Sequence, residues 1–143
     1  MVYFLVLAFV SLSGTAFAFD DSAIIAKCDE DWGTDFEMVA YCRKEQREAG
    51  QVVDTFRERA EGDDNSATIL ARCDNKWGRD YAMVEYCIEQ QSDALESLAS
   101  VSADVPVDVK DLIMQKCSAD WGSDFAMVAY CRDQQIDAWE SLQ

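Results

Sequence analysis

The residues with which this chain could do chemistry are its six cysteines and its acid-rich bends. The cysteines fall at Cys28 and Cys42, Cys73 and Cys87, and Cys117 and Cys131, each pair spaced Cys-x13-Cys, and the chain of 143 residues has no histidine. A structural zinc site usually draws ligands two to four residues apart, and without histidine it would have to be all-thiolate. A thiol–disulfide catalyst brings its pair within Cys-x-x-Cys at a helix N-terminus, and covalent haem attachment needs Cys-x-x-Cys-His; neither string is present. The lack of histidine also removes the commonest general base and the Ser-His and Cys-His nucleophile pairs. Two carboxylates can carry out acid–base hydrolysis, but nothing marks out one pair among the 28 acidic residues. The sequence therefore nominates no catalytic residue and no cofactor, and the expectation is a protein that is not an enzyme.

Calcium is the other chemistry that the acidic residues suggest, through Asp29, Glu30, Asp31 and Asp35. An EF-hand loop needs oxygen ligands at alternate positions, a central glycine and a closing glutamate. The corresponding stretches further along read Asp74-Asn75-Lys76 and Ser118-Ala119, so only the last aspartate recurs, as Asp80 and Asp124. A helix cap explains that recurrence without a metal. A cap accepts hydrogen bonds and needs no charge, so asparagine should replace Asp124 at little cost.

These residues belong to one motif that occurs three times. Residues 28–46 read CDEDWGTDFEMVAYCRKEQ, residues 73–91 read CDNKWGRDYAMVEYCIEQQ, and residues 117–135 read CSADWGSDFAMVAYCRDQQ. All three obey C-x3-W-G-x-D-[FY]-x-M-V-x-Y-C-x3-Q without a gap, at a period typical of arrays built from one supersecondary unit. In each copy a short helix should end at Trp-Gly, with Gly33, Gly78 and Gly122 just past its C-terminus. The aspartates at Asp35, Asp80 and Asp124 are placed to cap a second helix. A Gly-x-Asp connection this tight makes the two helices antiparallel neighbours.

Apolar spacing says which faces meet. Ile24, Cys28 and Trp32 fall at i, i+4 and i+8, while Met38, Val39, Cys42 and Ala49 share a face of the following helix. Both cysteines point inward, about one turn before and two turns after the bend, a distance a disulfide can span. Every copy has its own pair, so the expected bridges are Cys28–Cys42, Cys73–Cys87 and Cys117–Cys131. Closing such a loop contributes about 3 kcal/mol through the unfolded state, which matters in a unit too small to build much core. The predicted fold is all-α, three tandem disulfide-stapled helical hairpins. Trp32, Trp77 and Trp121 are expected in the core beside the disulfides, with Met38, Met83 and Met127 filling gaps beneath them. Gln46, Gln91 and Gln135, one turn beyond the second cysteine, should bond the opposing helix or its N-terminal backbone.

Residues 1–18, MVYFLVLAFVSLSGTAFA, have the apolar run and A-x-A ending of a secretory signal, though no Lys or Arg follows Met1. The run is shorter than the roughly 20 residues needed to span a bilayer, so no stable membrane insertion is expected after cleavage at Ala18. Export to a periplasmic or extracellular space agrees with bonded cysteines, since disulfides persist outside the cytosol. The remainder divides into hairpins at 19–62, 63–103 and 104–143. Asn65 or Ser66 should cap the helix after the first linker, and residues 101–109, with the only proline, form the second. Exposed Tyr41, Tyr86, Tyr130 and Trp139 favour packing between the units.

The net charge is −16 and is spread over all three copies, which marks a solvated acidic surface. It argues against nucleic acid, whose binding needs clustered Lys and Arg. What remains is a non-enzymatic binding or interaction module with a protein or glycan partner; the alternatives are a carrier of a small apolar ligand between its helices, or an acidic cation-binding protein. The Cys-x3-Trp, Asp-aromatic-x-Met and Tyr-Cys string, about 19 residues per copy, resembles a motif of small uncharacterised bacterial exported proteins. That resemblance implies a periplasmic or secreted protein and brings no activity, cofactor or site residues with it.

Overall fold

The computed structural model describes residues 19–100 and 104–143; the signal reading of residues 1–18 lies outside them. Six helices follow in order: α1 (Asp21–Trp32), α2 (Phe36–Ala60), α3 (Asp64–Trp77), α4 (Tyr81–Ala99), α5 (Val107–Trp121) and α6 (Phe125–Glu140). Consecutive helices pair as hairpins, α1 with α2, α3 with α4 and α5 with α6. The hairpins are not beads, because α2 packs on both α3 and α4, and α4 packs on α6.

The bend is built as its residues require. The backbone N–H of each glycine closes the first helix by donating to Asp29, Asp74 or Ser118, and Gly33, Gly78 and Gly122 take φ of 55°, 55° and 57°. That left-handed conformation is costly for any residue with a Cβ. Asp35, Asp80 and Asp124 then cap α2, α4 and α6 by accepting from the N–H of Met38, Met83 and Met127. All six cysteines are bonded in the expected pairs, with Cα–Cα distances of 5.8, 5.7 and 5.6 Å.

Three small cores run along the array. Ile24, Cys28 and Cys42 form the first, Ile113, Cys117, Val128 and Cys131 the third. The middle one is larger, because Val53 and Phe56 of the long α2 join Ile69, Cys73, Val84, Cys87 and Ile88. The tryptophans depart from the expectation of a core position: Trp32 and Trp121 are 43% and 44% exposed, and only Trp77 packs, partly, against the middle core. At i+8 a side chain has drifted about 80° from the i position, and each Trp ends its helix at the hairpin tip, where little chain remains to cover it. Lys76 lies over the Trp77 ring at 5.1 Å. Met38, Met83 and Met127 are half-buried.

The linkers also differ from expectation. Asp63 caps α3 by accepting from Ser66 N–H, so Asn65 and Ser66 lie inside the helix. Within the second linker Val105 is buried and α5 begins directly after Pro106, whose fixed φ suits the position before a helix.

The N-terminal end of the described chain is held by a notch at Gly50. An added Cβ there would meet Phe19 Cγ at 2.7 Å, while the Phe19 ring also packs edge-on against Tyr81 at 6.1 Å. Alanine in a helix interior is favoured over glycine by about 1 kcal/mol. Gly50→Ala should therefore stabilise by about that amount when Phe19 is already alanine, and lose the gain when Phe19 is present. Thermal melts of the four combinations check this; equal effects in both backgrounds would mean the ring does not rest on Gly50.

Candidate functional site

Two sets of motif residues come together in ways that bear on function: the junctions between hairpins, and a row of aromatic side chains on the surface. At the first junction the start of α4 enters the first hairpin. Asp80 accepts from Gln46 Nε2 at 2.8 Å and pairs with Lys27 Nζ at 3.2 Å, while Ala82 N–H donates to Gln46 Oε1 at 3.4 Å. Tyr81 packs against the core of Ile24, Cys28 and Cys42. The second junction repeats this one motif copy later. Asp124 accepts from Gln91 Nε2 at 2.8 Å and pairs with Arg72, Ala126 N–H donates to Gln91 Oε1 at 3.3 Å, and Phe125 packs against the core that holds Ile69, Cys73 and Cys87.

Each glutamine thus reaches past its own hairpin to the next one, not to the opposing helix of its own. Gln46 and Gln91 are both 6% exposed. A buried amide must have its donor and acceptor satisfied, and the opening turn of a helix offers both an N-cap carboxylate and a free N–H. Asp80 and Asp124 are caps as expected, yet each also faces a cation. Asp124 is therefore more than a hydrogen-bond acceptor, and asparagine there gives up the partner of Arg72. Lys27 is held above the ordinary lysine range first by its hydrogen bond to Asp31 and further by Asp80.

The third hairpin is held further by Arg132, a residue that the motif does not mark. Arg132 is 8% exposed; it donates from Nη1 to the Ser97 carbonyl at 2.6 Å and from Nε to Asp133 at 2.8 Å. The motif has no fixed residue at this place, Arg43 and Ile88 being its counterparts, so the repeat pattern held no signal for it.

On the surface, Tyr41, Tyr86 and Tyr130 are 57%, 55% and 60% exposed. They occupy the same motif position on α2, α4 and α6, which pack in that order. Tyr81, Phe125 and the glutamines make the junctions between hairpins, and Tyr86 borders the groove between the second and third. Each tyrosine precedes an inward cysteine, so the staple that buries the cysteine turns the ring outward.

Comparison with protein-family models, with curated proteins and with solved structures returned no match.

The acidic residues of the first bend are dispersed among separate partners. Asp29 pairs with Arg43, Asp31 with Lys27, and Asp35 caps α2. Among the described residues no group of three or more Asp, Glu, Cys or His side chains is gathered as metal ligands would be, and no helix is long and apolar enough to cross a membrane. Open grooves run between the hairpins. One of about 290 Å3 lies beside Trp77 and Tyr86, and another of about 500 Å3 runs along Val52, Phe56 and Ile88 with Arg59 and Glu89 at its rim.

Proposed function

We propose that this chain is a non-enzymatic, exported binding module whose contact face is the row of Tyr41, Tyr86 and Tyr130. The observation that carries this is the repetition of one exposed ring at one position on three adjoining helices. Tyrosine gives a large contact area with few rotatable bonds and a hydroxyl for hydrogen bonding, which suits a protein or glycan surface. Disulfides and inter-hairpin hydrogen bonds keep the spacing of the rings fixed before binding, which lowers the ordering cost. The charge of −16 favours a partner with basic groups and disfavours nucleic acid.

Three disulfides in a chain this small suit an oxidising compartment. The backbone nitrogen of Phe19 is 2.7 Å from Asp54 Oδ2, so cleavage after Ala18 would set the new α-ammonium against a half-buried carboxylate. That favours the export reading.

The test is affinity capture from extracellular extract with the disulfide-bonded chain, alongside Tyr41→Ser/Tyr86→Ser/Tyr130→Ser. The rings are exposed, so the triple variant should keep its helix content by circular dichroism and lose the captured protein or glycan. Capture that survives the triple substitution would sink the proposed face. Stoichiometric binding of a lipophilic dye, displaced by fatty ligands, would instead support a carrier, and saturable calcium heats a cation-binding protein.

A further inference from the structure

Among the described residues, the junction that joins hairpin one to two, and two to three, is left half-made in the first and third hairpins, and the two halves match. Each internal junction has a knob and a socket. The knob is an N-cap aspartate followed by an aromatic ring, Asp80-Tyr81 and then Asp124-Phe125. The socket is the face of a stapled hairpin bearing a cation, a buried glutamine and an apolar floor that includes the disulfide, namely Lys27, Gln46 and Ile24 in the first hairpin and Arg72, Gln91 and Ile69 in the second.

Among the described residues no hairpin receives the knob of the first. Phe36, the counterpart of Tyr81 and Phe125, is 79% exposed, and Asp35 is exposed and caps α2. Among the described residues no hairpin fills the corresponding socket of the third. Lys116, Gln135 and Ile113 stand where Lys27, Gln46 and Ile24 stand in the first. Among the described residues, the side chains packed against the third core are Leu98, Val109, Met114 and Ile136, with no ring in the place that Tyr81 takes at the first. Gln135 is half-buried where Gln46 and Gln91 are buried.

The state of Lys116 matches in detail. It pairs with Asp120 at 2.7 Å, as Lys27 pairs with Asp31 at 2.6 Å. In the first hairpin the same ammonium also serves Asp80 at 3.2 Å, so the local pair leaves room for a second carboxylate. The side chain of Lys116 is 54% exposed against 20% for Lys27, the difference expected where the second carboxylate has yet to arrive.

We infer that the occupant of the third hairpin's socket is a second copy of this chain, which inserts Asp35 and Phe36 so that the array continues head to tail across molecules. Asp35 would accept from Gln135 and pair with Lys116, Glu37 N–H would donate to Gln135 as Ala82 N–H does to Gln46, and Phe36 would cover the Cys117–Cys131 staple. Such an interface is heterologous, so every added copy presents a fresh knob and socket, giving open chains or, where the rotation closes, rings.

Association should be weak. The internal junctions are helped by a tether that supplies an effective concentration of about millimolar, and two copies of net charge −16 repel one another at low salt. Sedimentation equilibrium of the disulfide-bonded protein in physiological salt, from micromolar to millimolar concentration, should show concentration-dependent assembly. Phe36→Ala removes the knob and Lys116→Glu the socket; both residues are exposed, and circular dichroism should show native helix content. Each variant alone should associate at least tenfold more weakly. Mixed together they should form a one-to-one complex that grows no further, because one supplies an intact socket and the other an intact knob. A wild-type chain that stays monomeric to millimolar concentration would overturn the inference. So would assembly that persists in both variants, or a mixture that behaves as the variants do alone.

Discussion

Reduction of the disulfides should remove most of the helical signal and collapse the cooperative melt. The first core has three buried residues, two of them cysteines, and the third has four, again two of them cysteines. Each bridge contributes about 3 kcal/mol by restricting the unfolded chain, while a domain of this size has a total stability of only about 5–15 kcal/mol. Three such losses, about 9 kcal/mol, are comparable with that whole stability. Far-UV circular dichroism with and without reductant measures it, and a melt unchanged by reduction would mean that packing between hairpins alone holds the fold.

The loss should also be uneven when bridges are removed one at a time. An array with only nearest-neighbour contacts frays from its ends. The middle hairpin has Val53 and Phe56 of α2 over its disulfide and neighbours on both sides. Cys73→Ala/Cys87→Ala should therefore leave local order best preserved, whereas Cys28→Ala/Cys42→Ala and Cys117→Ala/Cys131→Ala should each open their own hairpin to amide exchange first. Uniform exchange in all three variants would contradict the one-dimensional picture.

The parts of this structure that a sequence can show are those fixed by short-range rules. Trp-Gly-x-Asp specifies a helix end, a left-handed residue and a new cap within four positions, and the cysteine pairs follow once the hairpin is drawn. What could not be read was where each motif residue points once hairpins meet. Gln46 and Gln91 keep the same spacing in every copy, but their partners lie in the next copy, and periodicity carries no information on contacts between periods. Tyr41 and Tyr81 illustrate the same gap. Both are aromatic and both recur, yet one faces solvent and the other fills a junction, because one sits beside an inward cysteine and the other at a helix start aimed at the preceding hairpin. The charged neighbours of Asp80 and Asp124 were hidden for the same reason, since Lys27 and Arg72 sit about 50 residues earlier in the chain.

The three motif aspartates should therefore differ in cost although the sequence writes them alike. Asp35 caps α2 and is exposed, so Asp35→Ala should lose about 1 kcal/mol, the usual value of a cap. Asp124→Ala loses the cap as well, and in addition leaves Gln91, 6% exposed, with an unpartnered amide. A buried donor without an acceptor costs about 1–3 kcal/mol. Arg72 is a third exposed, so its lost ion pair adds only about 0–1 kcal/mol. The expected loss for Asp124→Ala is then about 2–5 kcal/mol, with Asp80→Ala close to it. Asp124→Asn keeps an oxygen for Met127 N–H and for Gln91 and gives up only the charge facing Arg72, so it should cost about 1 kcal/mol or less. Denaturant melts, at concentrations low enough to keep the chain monomeric, give the order directly. Equal costs for Asp35→Ala and Asp124→Ala would mean that the glutamine junction contributes nothing. Addition of calcium should change none of these values; a loss equal for Asn and Ala at position 124, seen only with calcium present, would make the bend a metal site and its aspartate a ligand.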